Sequence, residues 1–455
     1  MTIAAIATPV GEGGIGIIRI SGECSLAIAQ KVFVGKKRSL ETVPANTLVY
    51  GCVIDELDRV VDEAMAVFMR APYSYTAEDV VEIHCHGSYA SLEKTMALIL
   101  QNGARLAKPG EFTQRAFLNG RLDLTQAEAV LDIIKSRTQA SLKLAMRQHR
   151  GLLSREISGY RKKLKDMIVQ LEAVIDYPEE DIEDITREQV LKTSKDIEVA
   201  LIKLLKSCKT GRVLKEGLRV VITGRPNVGK SSLLNMLLQE ERAIVSDIAG
   251  TTRDVIEEQL VVGGIPIVLV DTAGVRDTSD EVERIGVQKA YSNIQSADLV
   301  LLMLDATVGV TQEDLELLES LRNEEYFILI NKIDEQVELD TISEQLKDFP
   351  NKMYVSVLKS VGIAEFKQKL ENMVFGSSSS TVDDNVYVQN IRHEQLLKES
   401  YKYIQDVIEA LEMGVSLDCT VIDLRLAIDS LGGITGESVS DEIINEIFSR
   451  FCIGK

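Results

Sequence analysis

The chain has 455 residues, of which 45% are hydrophobic and 27% charged, and its formal net charge is −19. This length predicts two to four domains, and the acidic balance argues against a protein that coats nucleic acid, because phosphate binding is driven by cationic surfaces. No apolar run reaches the length of a membrane-spanning helix, and the N-terminus MTIAAIATPV lacks the basic start of a signal peptide. Six scattered cysteines without a CxxC pair favour a reducing compartment. We therefore expect a cytoplasmic protein that binds neither membranes nor DNA.

Residues 1–118 have the pattern of an α+β domain. Strands are predicted where β-branched residues cluster between Gly or Pro, in TIAAIAT, GIGIIRIS, EAMAVFMR and DVVEIHCHG. The segment 88–103 has an apolar stripe at helical spacing and ends at a glycine. In HCHG, His84 and His86 share one strand face while Cys85 faces the other, which favours a pocket wall or core over a metal site.

Residues 119–214 change to long helices. TQAEAVLDIIKSRTQASLKLAMRQH is predicted as a helix whose capping box places Thr125 at the N-cap and Glu128 at N3. The stretch 135–165 is rich in Lys and Arg and has a single acid, Glu156, whereas the residues that follow are strongly acidic. The basic stretch is either a set of solvated helix faces or a surface for RNA or an acidic partner.

The rest of the chain alternates apolar runs with helices and then becomes helical again. LRVVITG, IPIVLVD, ADLVLLMLD, YFILINK and KMYVSV predict a parallel sheet covered on both faces. GSSSSTVDDN, residues 376–385, predicts a flexible link. The predicted fold class is multidomain, mixing α+β and α/β: an N-terminal α+β domain (1–118), a discontinuous all-α domain (119–214 and 379–455) and an inserted α/β domain (215–378).

The sequence GRPNVGKS, residues 224–231, fits the phosphate-binding pattern GxxxxGK[ST] and lies between a predicted strand and a predicted helix. Its glycines let backbone N–H groups turn toward phosphate oxygens, and the helix N-terminus adds its positive end. Lys230 is expected to reach the β- and γ-phosphates and the Ser231 hydroxyl to bind Mg²⁺. Alone, this pattern also fits an ATPase or a kinase.

Two further motifs are typical of the switch regions of a GTPase. In DTAG, Asp271 is expected to hold the metal through water and the Gly274 N–H to face the γ-phosphate. DIAGTTRD lies between the P-loop and DTAG, and its Thr252 is the predicted second Mg²⁺ ligand. DTAG is followed by Val275, where many GTPases have the glutamine that orients the attacking water. The motif itself therefore does not identify the residue that positions the attacking water.

NKID, residues 331–334, selects the base. Asp334 can accept from the N1–H and the amino group of guanine, whereas adenine has an acceptor where Asp334 needs a donor. Asn331 is expected to support the loop, Lys332 to pack over the base, and the loop YVSVLK to contact guanine, although only its serine fits the usual pattern. The predicted nucleotide-binding residues are Asn227, Val228, Gly229, Lys230, Ser231, Ser232, Ser246, Asp247, Ile248, Ala249, Gly250, Thr251, Thr252, Asp271, Thr272, Ala273, Gly274, Asn331, Lys332, Asp334, Ser356, Val357 and Leu358.

Segments along nearly the whole chain resemble one family, MnmE (also TrmE), the tRNA-modification GTPases. They include TIAAIATP with GGIGIIRISG, YTAEDVVEIHCHG, KPGEFTQRAFLNGRLDLTQAEAV, GRPNVGKSSLLN, DIAGTTRDV, DTAGVRDTSDEVERIG and FCIGK. A generic Ras-like domain would explain only the nucleotide motifs. The resemblance implies an N-terminal folate-binding and dimerisation domain, a helical domain and an inserted Ras-like P-loop G domain.

The resemblance also implies an activity. Members of the family act with an MnmG-like flavoprotein, which carries FAD and uses NADH, to install an aminomethyl-type group at C5 of the wobble uridine of certain tRNAs. A reduced folate, 5-formyl- or methylene-tetrahydrofolate, supplies the one-carbon unit, and the homodimer hydrolyses GTP with Mg²⁺ and K⁺ bound. The alternative is a GTP-switch factor for ribosome assembly, which would carry a KH-like or second G domain in place of these flanks.

Matching positions assign the K⁺ site to the Asn227 side chain and the backbone carbonyls of Ser246, Ile248 and Thr251. A cation there would stabilise the charge that develops on the transferring phosphoryl group. Without the resemblance, Asn227 would read as a turn residue in the left-handed conformation. Glu283 matches the glutamate that positions the attacking water in the family. The alternative interpretation is that Glu283 is an acid on the surface of a helix. The predicted catalytic residues are Glu283, Lys230 and, for the modification chemistry, Cys452.

Matching positions also assign a folate pocket to Arg19, Glu82, Arg121 and Lys455. Arginine and lysine suit the carboxylates of folate, and a carboxylate such as Glu82 can pair with the donor edge of the pterin. Arg121 stands where many relatives carry lysine, so the charge is kept but its planar geometry is different. Cys452 is predicted either to take part in the chemistry near folate or to be a buried tail cysteine.

Overall fold

The computed structural model describes residues 1–9, 11–176, 187–240, 258–270, 297–322, 324–376 and 386–455. Its contacts divide the chain into two compact units. The first unit consists of Met1–Leu131, Arg147–Glu198 and Leu396–Lys455, and the second of Asp132–Met146 and Val199–Gln395. Each unit contains one sheet, and the predicted domain boundaries at residues 118, 214 and 378 remain predictions.

Helices make up most of the described chain outside the two sheets. In chain order they are α1 (Ser25–Val32), α2 (Tyr89–Gln101), α3 (Glu111–Leu118), α4 (Leu124–Lys135), α5 (Gln139–His149), α6 (Leu152–Asp176), α7 (Arg187–Glu216), α8 (Lys230–Glu240), α9 (Gln312–Ser320), α10 (Leu339–Gln345), α11 (Ile363–Phe375), α12 (Ile391–Glu412), α13 (Leu417–Thr435) and α14 (Asp441–Ser449). None of the helices in the described ranges is long and apolar enough to cross a membrane.

The first unit contains a seven-stranded sheet in the order β3-β4-β5-β6-β2-β1-β7. Its strands are β1 (Ile3–Ile6), β2 (Gly13–Ser21), β3 (Phe33–Gly35), β4 (Leu48–Ile54), β5 (Val60–Met69), β6 (Val80–Gly87) and β7 (Arg105–Leu106). Neighbouring strands run antiparallel except β1 and β7, which are parallel. Alternate residues such as Ile18, Ile20 and Ile83 enter the core, which confirms the strands predicted from GIGIIRIS and DVVEIHCHG.

The prediction of one helix over residues 125–149 is wrong about its N-cap and about its continuity. Its N-cap is Asp123, whose carboxylate accepts from the Gln126 N–H at 2.9 Å while the Gln126 side chain accepts from the Asp123 N–H at 3.0 Å. Thr125, predicted as the cap, is instead fully buried inside α4, with its hydroxyl 2.6 Å from that of Ser154. Aspartate and glutamine make the same reciprocal pair as the predicted threonine and glutamate, two positions earlier.

The second error is that the predicted helix is two helices, α4 and α5. A second reciprocal pair separates them, since the Thr138 hydroxyl accepts from the Ser141 N–H at 3.0 Å and the Ser141 hydroxyl accepts from the Thr138 N–H at 3.1 Å. These side chains satisfy backbone donors that a continuous helix would use, so a new helix begins at Gln139.

In the first unit, α6 packs along α13. Arg161, one of the cations of the basic stretch, is buried there and donates to the Ile428 carbonyl oxygen at 3.3 Å. Its guanidinium also forms an ion pair with Glu437. This cation therefore stabilises helix packing, whereas its neighbours Lys162 and Lys163 are exposed.

The second unit contains a six-stranded sheet in the order β13-β12-β11-β8-β10-β9. Its strands are β8 (Leu218–Thr223), β9 (Glu258–Val262), β10 (Ile265–Leu269), β11 (Leu299–Asp305), β12 (Tyr326–Asn331) and β13 (Lys352–Tyr354). All neighbours are parallel except β9 and β10. β11 and β12 are buried along their whole length, as a sheet covered on both faces requires, so the predicted α/β domain is confirmed.

Glu111, in the first turn of α3, is a buried acid with several donors. Its carboxylate accepts from Arg105 Nη1 at 2.7 Å, from the Lys108 N–H at 2.9 Å and from Arg115 Nη2 at 3.1 Å. Burial raises the pKa of this carboxyl, but these donors outweigh burial and bring the pKa down to about 2. This carboxylate contacts both arginines, and Arg115 pairs with Glu78 as well, at 2.8 Å.

We expect Glu111→Ala to destabilise the protein by about 3 kcal/mol, because it removes a buried carboxylate that pairs with Arg105 and accepts from Arg115 and from the Lys108 N–H. The measurement is the midpoint of thermal unfolding followed by circular dichroism. The matched control is Glu63→Ala, which removes an exposed ion pair with Lys36 and should change the midpoint little. Equal shifts for the two variants would contradict this account.

Candidate functional site

The phosphate-binding loop lies at the carboxyl end of β8, between Thr223 and the start of α8. A Cβ on Gly224 would lie 2.3 Å from the Met303 carbonyl oxygen, and a Cβ on Gly229 would lie 2.3 Å from Nδ2 of Asn331. Both glycines have positive φ, and Asn227 has φ of 64°, the left-handed conformation predicted for a turn residue. These positions fix the loop close to the sheet, so that backbone N–H groups and the N-terminus of α8 can face one ligand.

Lys230 is the first residue of α8 and folds back over the loop. Its Nζ donates to the carbonyl oxygens of Gly224 and Arg225, both at 2.7 Å. Burial lowers the pKa of this lysine. Its described partners are neutral carbonyls, so the loop retains a positive charge that a phosphate can neutralise.

Asn331, at the end of β12, connects the phosphate-binding loop to the loop after β13. Its Nδ2 donates to the Val228 carbonyl oxygen at 2.9 Å, and its Oδ1 accepts from the Val357 N–H at 3.1 Å. The side chain is buried, and both ends of the amide are satisfied. The structure thus gives Asn331 the supporting position that NKID predicted.

Asp334 contacts the loop after β13. The fully buried Ser356 hydroxyl donates to Asp334 Oδ1 at 2.6 Å, and the Lys359 ammonium lies 3.8 Å from Oδ2. The hydrogen bond from Ser356 lowers the pKa of Asp334, assisted by the charge of Lys359. The carboxylate is therefore held ionised, in the state that accepts from two donors of a base. Beside it, Val357 is buried and Leu358 is exposed.

Lys332 has a partner that the sequence analysis missed. Its Nζ forms an ion pair with Asp305 Oδ2 at 2.5 Å, and the other oxygen of Asp305 accepts from the Thr307 N–H and hydroxyl at 2.9 and 2.6 Å. Burial alone would raise the pKa of Asp305, but these hydrogen bonds outweigh burial, so the pKa of Asp305 is lowered overall. The signal that could have found Asp305 is its position at the end of the buried strand LVLLMLD, next to β12.

Several predicted residues lie outside the described part of the chain. They are Ser246, Asp247, Ile248, Ala249, Gly250, Thr251, Thr252, Asp271, Thr272, Ala273, Gly274 and Glu283. The structure therefore describes the P-loop and the base loops of the predicted nucleotide site, and the predicted switch residues stay predictions. Ser231 and Ser232 follow Lys230 in the first turn of α8.

A second cluster of predicted residues lies on the sheet of the first unit. Arg19 on β2 and Glu82 on β6 are cross-strand partners, and Arg19 Nε donates to Glu82 at 2.8 Å. His84 Nε2 lies 3.4 Å from the other oxygen of Glu82. The hydrogen bond from His84 lowers the pKa of Glu82 to about 2, against the effect of burial and with the charge of Arg19 assisting.

The last residues of the chain close this cluster. Arg19 Nη1 donates to the Gly454 carbonyl oxygen at 3.4 Å, and the Phe112 N–H donates to the Lys455 carbonyl oxygen at 3.2 Å. A Cβ on Gly454 would lie 2.4 Å from the Ile6 carbonyl oxygen, and its φ of 94° favours glycine. Burial and the charge of Arg19 lower the pKa of Lys455. Arg19, Glu82 and Lys455 are therefore close in space although they are far apart in sequence.

Arg121 joins the cluster through Tyr75, a residue the sequence analysis did not single out. Its Nη1 donates to the Tyr75 carbonyl oxygen at 2.8 Å, and its guanidinium carbon lies 5.1 Å from the centre of the tyrosine ring. We use the name cationic pocket for Arg19, Tyr75, Glu82, Arg121 and Lys455. The one available signal for Tyr75 was its place in YTAEDVVEIHCHG, a stretch of the family resemblance.

Cys452 is exposed, so the alternative of a buried tail cysteine is wrong. Cys85 is buried, as the strand alternation predicted, and burial raises the pKa of its thiol to about 11. His84 contacts Glu82, whereas His86 pairs with Asp62 at 2.6 Å. Within the described ranges, no group of three or more His, Cys, Asp or Glu side chains could hold a metal ion.

Comparison with known proteins covers the chain from end to end. Residues 2–121 match the family model of the GTP-binding protein TrmE N-terminus, and residues 124–452 match that of the MnmE helical domain. The first of these contains the cationic pocket except for its C-terminal lysine. The second encloses the phosphate-binding and base loops within its range.

Curated relatives have the same extent as this chain. It is 46% identical to the tRNA modification GTPase MnmE of Thermoanaerobacter pseudethanolicus, covering 100% of this chain and 99% of the relative. It is 47% identical to the tRNA modification GTPase MnmE of Lactiplantibacillus plantarum, covering 100% and 98%. A solved structure of Aquifex aeolicus Era is 26% identical over 41% of this chain and 66% of that one, with a TM-score of 0.28, which is too low for a structural conclusion. The two family models and the full-length identity place this chain in the MnmE family of tRNA modification GTPases.

Proposed function

We propose that the chain hydrolyses GTP as one component of a cytoplasmic complex that modifies C5 of the wobble uridine in certain tRNAs. The observation that carries the proposal is that one chain combines a phosphate-binding loop and an ionised Asp334 with a cationic pocket, most of which lies in the segment that matches the TrmE N-terminus. The rival, a GTP-switch factor for ribosome assembly, does not account for the N-terminal and helical matches that flank the G domain.

For GTP, the residues of the second unit fit the ligand. Lys230 offers a positive charge at the loop, and Asp334 offers a carboxylate that the Ser356 hydroxyl holds in place. Ser231 and Thr252 would hold Mg²⁺, which neutralises charge on the β- and γ-phosphate oxygens. The buried Asn331 keeps the loops for phosphate and base in one arrangement, which favours a preformed site.

For hydrolysis, we propose that K⁺ takes the place of an arginine finger, since a fixed cation beside the transferring phosphoryl group stabilises its developing charge. Asn227, together with the carbonyls of Ser246, Ile248 and Thr251, would hold it. The left-handed backbone at Asn227 places this residue at the outer turn of the loop, where its side chain is exposed. We assign the positioning of the attacking water to Glu283, which matches the glutamate that has this role in the family, since Val275 has no polar atom in its side chain.

For the one-carbon unit, we propose that the cationic pocket binds a reduced folate, 5-formyl- or methylene-tetrahydrofolate. Glu82 is held ionised and can accept from the donor edge of a pterin, while Arg121 and Lys455 suit carboxylates. The exposed Cys452 lies three residues before Lys455 and is a candidate for the modification chemistry. We further propose a homodimer that acts with an MnmG-like flavoprotein, on which FAD and NADH are used.

We expect Asp334→Asn to weaken GTP binding by roughly a hundredfold or more, because the carboxamide can no longer accept from both donors of guanine. The same variant should bind xanthosine triphosphate better than the wild type does, since xanthine has a carbonyl where guanine has its amino group. Affinities are measured by titration calorimetry with both nucleotides. Glu335→Gln, at the exposed neighbouring position, is the control and should keep the wild-type preference. Unchanged preference in Asp334→Asn would exclude the assigned role.

We expect GTP turnover to be faster in K⁺ than in Na⁺ at equal ionic strength, because the smaller ion does not match a cage sized for K⁺. Glu283→Ala should be slow in both salts while GTP affinity is retained, as a residue that acts only on the water requires. Steady-state phosphate release measures both effects. Equal wild-type rates in the two salts would remove the K⁺ proposal.

We expect tRNA from a strain that lacks this chain to lose the C5-modified wobble uridine. The measurement is liquid chromatography with mass spectrometry of nucleosides from total tRNA. Complementation with the wild-type chain should restore the modified nucleoside, and complementation with Asp334→Asn should not. An unchanged nucleoside profile in the deletion strain would refute the tRNA assignment.

A further inference from the structure

One tyrosine ring contacts both arginines of the cationic pocket. The guanidinium carbons of Arg19 and Arg121 each lie 5.1 Å from the centre of the Tyr75 ring. At such distances a guanidinium is attracted by the negative face of the ring. The ring therefore favours the presence of two like charges that would otherwise repel each other.

The ring itself is fixed by its surroundings. The Tyr75 hydroxyl lies 2.9 Å from the hydroxyl of Thr113 on α3, and the ring packs against a small core that includes the fully buried Phe112. The next residue, Thr76, is also anchored, with its hydroxyl 2.8 Å from that of Ser21 on β2. Tyr75 is thus a rigid part of the pocket wall, and it can position a flexible side chain placed against it.

The two arginines are not equivalent. Arg19 is largely buried, with 14% of its side chain exposed, and it is engaged by Glu82, by the Gly454 carbonyl oxygen and by the ring of Phe112 at 5.6 Å. Arg121 is exposed, and its described hydrogen bond is the one to the Tyr75 carbonyl oxygen. A guanidinium has five N–H donors, so Arg121 keeps donors for a ligand.

The charged side chains of the cationic pocket indicate which charge its ligand carries. Arg19 and Glu82 neutralise each other, and the side chains of Arg121 and Lys455 remain as two further cations. We propose that Tyr75 is a positioning residue that holds the Arg121 guanidinium toward one carboxylate of a dicarboxylate ligand, while Lys455 takes the second. This inference rests on the proposed folate site, since the glutamate tail of a folate carries two carboxylates.

The test compares two ligands that differ only in this tail: 5-formyl-tetrahydrofolate and 5-formyl-tetrahydropteroyl amide, in which an uncharged carboxamide ends the chain and no carboxylate remains. We expect Tyr75→Leu to raise the Kd of the folate roughly tenfold, the size of a partly desolvated cation–π contact, and to leave the Kd of the pteroyl amide unchanged. Tyr75→Phe keeps the ring and should retain most of the wild-type affinity. Arg121→Lys should also lose affinity for the folate alone, because an ammonium lacks the planar fork.

The matched control is Tyr50→Leu, which removes a tyrosine ring on β4 that also has a cation against it, Lys36 at 4.6 Å. This variant should bind both ligands as the wild type does. If Tyr75→Leu or Arg121→Lys weakens both ligands equally, or weakens neither, the positioning role is overturned while the folate site stands. If the wild type binds neither ligand, the folate proposal fails and this inference fails with it. Should Tyr75→Leu not fold, the comparison of Arg121→Lys with the wild type decides between the same outcomes.

Discussion

The side chain of Asn331 is the contact on which the nucleotide site depends. Its amide nitrogen bonds the phosphate-binding loop at Val228, and its amide oxygen bonds the base loop at Val357. Two irregular loops that follow different strands are thereby held at one distance, as is required of a site that contacts both ends of a nucleotide. The close approach also explains Gly229, since any side chain at that position would meet the amide. Asparagine is suited to this role because it is uncharged and offers a donor and an acceptor in one plane.

A chain with a net charge of −19 has a pocket in which three cationic side chains accompany one acidic side chain. Its cations come from β2, from the turn after α3 and from the last residue, and its one acid, Glu82, is neutralised by Arg19. A small anion therefore meets an attractive local charge even though the whole molecule is acidic. The tail takes part through backbone contacts, so the pocket and the last turn of the chain form one structure.

The two proposed sites solve the same physical problem, which is to hold an anion, by different means. The phosphate-binding loop uses backbone N–H groups, a helix N-terminus and one lysine, and its shape follows from local sequence. The cationic pocket uses long side chains, which have many conformations unless something restrains them. Tyr75 and Glu82 supply that restraint for Arg121 and Arg19. This difference accounts for the larger role of tertiary contacts in the second site.

The sequence by itself determined the local features of this protein. Clusters of β-branched residues predicted four strands of the first sheet and apolar runs predicted strands of the second, although β3, β4 and β7 were not predicted. GRPNVGKS and NKID predicted the phosphate and base loops, because a loop of eight or four residues carries its own backbone constraints. Boundaries that depend on competing side chains were not predicted correctly. The α4 cap shifted to Asp123, and Thr138 divided a predicted helix, since several polar residues nearby could cap equally well.

Only the tertiary structure decided which distant residues meet. The pairs Lys332 with Asp305 and Arg121 with Tyr75 are separated by 27 and 46 positions, and neither has a local sequence pattern. The convergence of Arg19, Glu82 and Lys455 was expected from resemblance alone, and the cross-strand register and the returning tail produce it. Periodicity reports which face of an element is buried, but the partner on the other side is set by packing of the whole chain. That is why the nucleotide loops could be read from the sequence, whereas the ring that holds Arg121 could not.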